Sequence, residues 1–170
     1  IVYRSFSAVA MLRMGEAMQT SLVSAFAEAS RKTFRDMFGL DTTLRETREI
    51  SPSDDHGWEI TGLIGLAGHA QGIVALRLTE ALASRLLQGS GVSPADEAER
   101  RQLEGGLVGE ISNIIAGAVS SAGGLDFEIA PPVIVRGPRH KIGWPAIAPV
   151  VAIVFGADAG DFELDVCVKV

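Results

Sequence analysis

The sequence predicts an α+β domain with a largely antiparallel sheet, a long N-terminal helix and a second long helix that carries the candidate active site. Two observations predict this class. Segments with helical periodicity and segments with strand periodicity are grouped along the chain instead of alternating strictly. The links between neighbouring strands are turn-rich and hairpin-like. This order argues against a doubly wound parallel sheet.

The first half of the chain reads as one amphipathic helix followed by three strands. Apolar residues recur at three- and four-residue steps over residues 16–38, and Gly39 is a candidate C-cap. The mostly polar residues 42–50 are typical of an edge strand. A turn-rich stretch at 51–57 predicts a hairpin to the next strand. The second and third predicted strands are 58–66 and 72–78.

The second half reads as two helices followed by three strands. Ser93 and Pro94 are typical of a helix start, because serine can cap the helix and proline suits its first position. Pro131 and Pro132 interrupt a strand-like alternation and indicate a sheet edge or a bulge. The predicted helices are 79–88 and 93–121, and the predicted strands are 127–135, 147–155 and 162–170.

Composition restricts the class of function. Of the 170 residues, 47% are hydrophobic and 21% are charged, as in a globular domain with a full core. A net charge of −6 argues against a nucleic-acid binder, which usually has a basic face. No run approaches the roughly 20 apolar residues that cross a membrane, so a cytoplasmic protein is expected. The one cysteine, Cys167, excludes an internal disulfide.

The chain is expected to form a single domain over residues 14–170. Met14 is followed by Gly15 and Glu16 and reads like a natural start, so residues 1–13 are expected to be an upstream extension. No internal repeat or linker divides the rest.

Asn113 is the only asparagine of the chain, and it lies in the middle of the second long predicted helix. Asparagine is unfavourable there, because its amide competes for nearby backbone groups. Glu110 lies three residues earlier and therefore on the same helical face. Residues placed against their own propensity are candidates for function. We therefore interpret Glu110 and Asn113 as the candidate site.

A helical wheel places these two polar residues beside an apolar stripe. At about 100° per residue, the predicted buried stripe comprises Leu103, Leu107, Ile111, Ile114, Ile115, Ala118 and Ala122. The small residues Gly106, Gly117 and Ser120 lie on the same flank as the polar pair, and Gly109 lies further round. Each glycine costs the helix about 1 kcal/mol against alanine. A smooth face for a docking partner would justify this cost, and so would close packing within the fold; the geometry leaves both open.

The segment 109–117, with Glu110 and Asn113, resembles the Glu-x-x-Asn helix of the CheC/CheX/FliY family of chemotaxis phosphatases. The flanks agree, because 64–76 looks like the family's paired strands and 131–137 looks like the strand after the active helix. The resemblance extends from about residue 16 to residue 170. The chain has a single Glu-x-x-Asn motif. In this it resembles CheX, which has one site per chain, more than CheC, which usually has two.

The resemblance implies a CheC/CheX-like fold and dephosphorylation of a response regulator such as CheY. Asn113 would insert into the receiver domain and orient a water for in-line attack on the aspartyl phosphate. Glu110 would pair with a receiver lysine and fix the docking. The docking face that the helix geometry allows is then expected to comprise Gly106, Gly109, Gly117 and Ser120. The resemblance also implies a homodimer. No cofactor is expected in this chain, and Mg²⁺ is expected in the receiver domain.

The same chemistry makes sense from the residues. Phosphoryl transfer asks mainly for positioning and neutralisation of charge. A carboxamide can accept a hydrogen bond from water and donate one to an oxygen. A carboxylate one turn away supplies a charge-assisted anchor.

Other candidate residues are weaker. His56, His69 and His140 are scattered along the sequence without metal-ligand spacing, which favours ordinary loop or turn roles. The basic segment 136–141 could steer an acidic partner, but a solvated hairpin tip is the simpler interpretation. No metal site is therefore predicted.

Two other functions stay open at this point. The domain could be a non-catalytic module that binds a receiver domain or dimerises in a signalling complex. It could also be a purely structural dimer, in which case the face around Asn113 would be buried.

Overall fold

The structure is a computed structural model that describes residues 8–51, 56–122 and 127–170. The mixed helix and strand content confirms the predicted α+β class. Among the helices of these ranges, none combines the length and apolarity that a membrane crossing needs. The helices are α1 (Ala8–Phe38), α2 (Glu80–Gly89) and α3 (Glu97–Ala122). The strands are β1 (Thr43–Ile50), β2 (Ile60–Gly68), β3 (Gln71–Leu78), β4 (Phe127–Ile129), β5 (Val133–Arg136), β6 (Val150–Gly156) and β7 (Phe162–Lys169).

The strands of these ranges form one seven-stranded sheet in which every pair is antiparallel. Their order is β1-β6-β7-β3-β2-β4, and β5 also pairs with β2. The polar strand β1 therefore lies at an edge, as its sequence predicts.

The predicted hairpin between the first two strands is wrong. β1 pairs with β6, from Thr43 opposite Gly156 to Ile50 opposite Val150. β2 pairs with β3 on one side and with β4 and β5 on the other. A turn-rich sequence indicates that the chain changes direction, but it does not identify the strand to which the chain then pairs.

Strands β4 and β5 are two halves of one edge strand. β4 ends with Ile129 opposite Leu66, and β5 resumes with Val133 opposite Leu63. Three residues of the edge strand thus face two of β2, which makes a bulge. Because proline has no N–H to give to a ladder, Pro131-Pro132 accounts for the interruption. The prediction of an edge or a bulge at these prolines is confirmed.

The main hydrophobic core lies between the sheet and the helices. Phe34 of α1 stacks on Phe162 of β7 with ring centroids 3.9 Å apart, and Phe162 stacks on Phe155 at 4.8 Å. α3 packs against α1, α2 and β2. It is therefore held on several sides and retains one free side.

Helix α1 ends as its sequence predicts. Gly39 has a φ of 65°, and its N–H donates to the carbonyl of Arg35 at 2.8 Å, which is a glycine C-cap. The helix begins at Ala8, so residues 8–13 of the expected extension are continuous with α1. Residues 1–7 lie outside the described ranges.

Candidate functional site

Helix α3 is capped by Asp96. Its Oδ1 accepts a hydrogen bond from the N–H of Glu99 at 2.8 Å, which satisfies a free backbone donor of the first turn. The helix begins at Glu97. The prediction that Ser93 and Pro94 begin this helix is therefore wrong, because the carboxylate next to the first helical residue provides the cap.

A glycine of β2 lets α3 lie close to the sheet. A Cβ on Gly62 would overlap Ser112 Oγ and would lie 3.1 Å from Val108 Cγ1. Ser112 is buried, and its hydroxyl donates to the carbonyl of Val108 at 2.8 Å. The side chains of α3 that fill the core are Val108, Ile111, Ile115 and Val119.

The buried face of α3 is displaced from the predicted stripe by about 100°, the rotation of one residue. Ile111 and Ile115 are buried as predicted. Leu107 and Ala118 are only half-buried, and Ala122 is exposed. Leu103 and Ile114 are also half-buried. The wheel failed because the residues that face the sheet are mostly small or polar, while larger apolar residues also line the flank of the helix.

Glu110 and Asn113 are both exposed, as the candidate site requires. Among the described residues, neither side chain has a hydrogen-bond or ion-pair partner. The helix therefore presents a carboxylate and a carboxamide, one turn apart, whose polar atoms are available to another molecule. In the single chain, the face that carries Asn113 is therefore accessible.

The small residues around this pair differ in environment. Gly106 is exposed, and a Cβ there would meet no atom within 4 Å. Gly117 is half-buried, with 3.9 Å between a Cβ and Ile129 Cδ1. Ser120 is half-buried, and its hydroxyl donates to the carbonyl of Phe127 at 3.3 Å.

Gly109 is not part of the exposed face. It is buried, and a Cβ there would lie 3.3 Å from Pro132 Cγ and 3.4 Å from Ile134 Cδ1. Of the two interpretations of the glycines, close packing within the fold is therefore the one that describes Gly109. A partner on the outer face would not touch it.

The structure contains a buried carboxylate on α3 that the sequence interpretation missed. The side chain of Glu104 is fully buried, and it accepts hydrogen bonds from Ser84 and Arg100, each at 2.6 Å, and from Arg136 at 3.1 Å. The four-residue spacing of Arg100 and Glu104 was a usable signal. Arg136 also donates to Glu80 at 3.2 Å and is only 15% exposed, so its predicted role in a solvated hairpin tip is wrong.

Two histidines that are distant in sequence meet on the other face of the sheet. The rings of His56 and His140 lie 5.3 Å apart, and His140 Nε2 is 2.6 Å from the hydroxyl of Thr61. Burial lowers the pKa of His56. The sequence separation of 84 residues between these two histidines gave no signal that they are neighbours in the fold. Within the described ranges, no three His, Cys, Asp or Glu side chains converge as a metal site would require.

Several charged side chains are also buried on this second face of the sheet, beside the two histidines. Asp165 is fully buried beside Arg77, with 2.7 Å between Oδ2 and Nε. Glu163 accepts hydrogen bonds from Arg48 and Trp58, each at 3.0 Å. Burial raises the pKa of Asp165 well above its ordinary value, although the positive charge of Arg77 opposes the shift. These groups lie away from the exposed face of α3.

Comparison with known families and structures agrees with this geometry. A family model described as "Chemotaxis phosphatase CheX" matches residues 60–156, which include β2, all of α3 and β6. Among curated proteins, no sequence matches this chain.

Solved structures share the fold over most of their length. A CheX from Desulfovibrio desulfuricans has a TM-score of 0.76 at 23% identity and covers 88% of this chain and 99% of its own. A CheX from Vibrio vulnificus has a TM-score of 0.75 at 24% identity, with coverage of 88% and 99%. A CheX-CheY-BeF3-Mg²⁺ complex from Borrelia burgdorferi has a TM-score of 0.71 at 20% identity, with coverage of 87% and 97%.

Proposed function

The chain belongs to the CheX family of chemotaxis phosphatases, and we propose that it hydrolyses the aspartyl phosphate of a CheY-like receiver domain. The observation that carries this proposal is the exposed pair Glu110 and Asn113, whose polar atoms have no partner among the described residues. The sequence resemblance to this family is confirmed. The roles of the individual residues are our proposal.

Asn113 is the catalytic residue of this proposal. Its carboxamide reaches into the receiver, accepts a hydrogen bond from one water and holds it in line with the phosphorus–oxygen bond that breaks. Attack by this water forms inorganic phosphate and leaves the free aspartate carboxylate on the receiver. Positioning of this kind contributes to catalysis because it fixes the geometry of attack before the reaction begins.

Glu110 anchors the partner. Its carboxylate lies one turn from Asn113 and would form a charge-assisted hydrogen bond with a lysine of the receiver. Because the side chain is exposed and has no partner among the described residues, it would not lose an internal ion pair on docking. Gly106 leaves open space on the same face, so the receiver can approach the helix backbone closely.

The expected metal belongs to the partner. Mg²⁺ would be held by the receiver domain and would neutralise charge on the phosphoryl group. The related complex from Borrelia burgdorferi contains CheY and Mg²⁺ together with CheX, which supports a partner of this kind. The homodimer that the resemblance implies stays a prediction, and so does the cytoplasmic location expected from the sequence.

The proposal is tested by the decay of purified CheY that has been phosphorylated with acetyl phosphate in the presence of Mg²⁺. We expect the protein to accelerate this decay and Asn113→Ala to lose the acceleration by about 100-fold, as for removal of one polar group that stabilises a transition state. Gln102→Ala is the matched control, because Gln102 is an exposed carboxamide on the same helix. The catalytic assignment is wrong if Asn113→Ala is as active as the wild type.

The role of Glu110 is tested separately by steady-state kinetics. Glu110→Ala should raise the KM for phosphorylated CheY and change kcat much less, because the anchor acts on docking. Glu28→Ala is a suitable control, since Glu28 is an exposed carboxylate on α1. Equal losses in kcat and 1/KM would contradict this division of roles. Binding of CheY without any turnover by the wild type would instead favour a non-catalytic module.

A further inference from the structure

A row of glycines runs along the side of α3 that faces the edge strand. At four-residue steps this row comprises Gly105, Gly109, Asn113 and Gly117. Residues four apart lie one above the other on a helix. Asn113 therefore stands in line with the glycines that pack against β4 and β5.

The closest approach in this row is one turn before Asn113. A Cβ would lie 3.7 Å from Ile134 Cγ2 at Gly105 and 3.9 Å from Ile129 Cδ1 at Gly117, which are ordinary contact distances. At Gly109 it would lie 3.3 Å from Pro132 Cγ and 3.4 Å from Ile134 Cδ1. Of these three glycines, Gly109 therefore leaves the least space toward the edge strand, and the nearest atom belongs to Pro132.

The bulge fixes Pro132 in this place. The N–H of Ala130 donates to the carbonyl of Gly65 at 2.9 Å, and β5 pairs again with β2 from Val133 onward. The edge strand is thus tied to β2 on both sides of the two prolines. A proline ring also fixes φ and has little freedom to move aside. Pro132 therefore presents a stiff surface against which the backbone of α3 rests.

We propose that the contact between Gly109 and Pro132 positions Asn113 for catalysis, so that both are positioning residues of the reaction. This inference rests on the proposed function. A helix transmits a displacement at residue 109 to the residue one turn further, because consecutive turns are joined by backbone hydrogen bonds. In-line attack is sensitive to such a displacement, since a misplacement of about 1 Å can cost about 100-fold in rate.

The kinetic test compares two buried glycines of the same row. Gly109→Ala should lower kcat for phosphorylated CheY by about threefold to tenfold, with the KM within a factor of two, because Gly109 is buried and cannot touch the partner. Gly105→Ala is the matched control, because its Cβ finds an ordinary contact. Its kcat should equal that of the wild type. Gly109→Val, with a larger displacement, should lose more kcat than Gly109→Ala.

A second-site change tests whether Pro132 transmits the effect. Pro132→Ala removes the Cγ that approaches residue 109 most closely. The double variant Gly109→Ala/Pro132→Ala should therefore recover at least half of the lost kcat. A role in stability alone would not produce this recovery in kcat at saturating CheY.

The single asparagine provides a readout that does not depend on turnover. Because Asn113 is the single asparagine, a sample labelled selectively with ¹⁵N-asparagine shows only the backbone amide signal and the side-chain amide signals of Asn113. These signals should shift in Gly109→Ala and return toward the wild-type positions in the double variant. A shift in Gly109→Ala alone is not decisive, because the carbonyl of residue 109 accepts the helical hydrogen bond of Asn113 and any change there is expected to shift these signals. The return of the signals in the double variant is the decisive observation.

The outcomes separate the two proposals. Wild-type kcat in Gly109→Ala, together with the loss of activity in Asn113→Ala, would overturn the positioning role and leave the proposed function intact. A raised KM in Gly109→Ala, or no recovery in the double variant, would also overturn it. Full activity in Asn113→Ala would show that the catalytic assignment of Asn113 is wrong, and the positioning role would be rejected with it. A wild-type protein that does not accelerate the decay of phosphorylated CheY would show that the proposed function itself is wrong.

Discussion

Two glutamates of α3, six residues apart, lie in opposite environments. Glu104 is fully buried and is held by Ser84, Arg100 and Arg136, which lie on α2, α3 and β5. Glu110 is exposed, and its side chain has no partner among the described residues. The carboxylate of Glu104 therefore joins three elements of the fold, whereas that of Glu110 is available to a second molecule. Removing each should therefore affect a different property.

The largest expected effect is the loss of stability in Glu104→Ala. This change leaves Arg100 and Arg136 without their buried partner, so the free energy of unfolding should fall by about 3 kcal/mol. Glu110→Ala should change it by less than about 0.5 kcal/mol, as an exposed substitution usually does. Urea denaturation of both variants measures the contrast. Similar losses in the two variants would break the comparison.

Gly62 of β2, which lies under α3, and Gly106, on the exposed side of α3, should show a smaller contrast in stability. Gly62→Ala places a Cβ against Ser112 and Val108 under the helix, so the free energy of unfolding should fall by about 2 kcal/mol, as for other overpacked sites. Gly106→Ala meets no atom on the exposed side and should raise it by up to about 1 kcal/mol through helix propensity. A stabilising Gly62→Ala would show that α3 does not rest on β2 as described.

The last contrast is a pH dependence that arises at Asp165, away from the exposed face of α3. Its pKa is raised in the folded protein, mainly by burial, with Glu163 adding to the shift and Arg77 opposing it. The folded state then binds this proton more tightly than the unfolded chain. The resulting stabilisation is present below the ordinary pKa of about 4 and is lost as pH rises through the raised pKa.

This dependence is isolated by comparison with Asp165→Asn, which cannot titrate. The unfolding free energy of the wild type minus that of Asp165→Asn should decrease as pH rises above about 4. Thermal unfolding of both proteins across this range measures the difference. A difference that increases with pH would mean that the ion pair with Arg77 outweighs burial.

The sequence was sufficient for the fold class and for the exposure of Glu110 and Asn113, because both follow from local periodicity. It did not identify the partner of β1, since pairing in a sheet depends on residues far apart in sequence. It also placed the buried stripe of α3 incorrectly, because Gly105, Gly109 and Ser112 face the interior without an apolar signal. Glu104 was missed because the burial of its carboxylate depends on a hydrogen bond from Arg136, which lies on another element and far away in sequence.

The most direct test of the catalytic claim separates docking from chemistry in Asn113→Ala. Its affinity for phosphorylated CheY is measured by titration, and the decay of phosphorylated CheY is then followed at saturating Asn113→Ala. The account predicts near wild-type affinity, a free energy of unfolding equal to or slightly above that of the wild type, and decay close to the spontaneous rate of CheY alone. Decay at the wild-type rate in the saturated complex would show that the carboxamide of Asn113 does not place the attacking water.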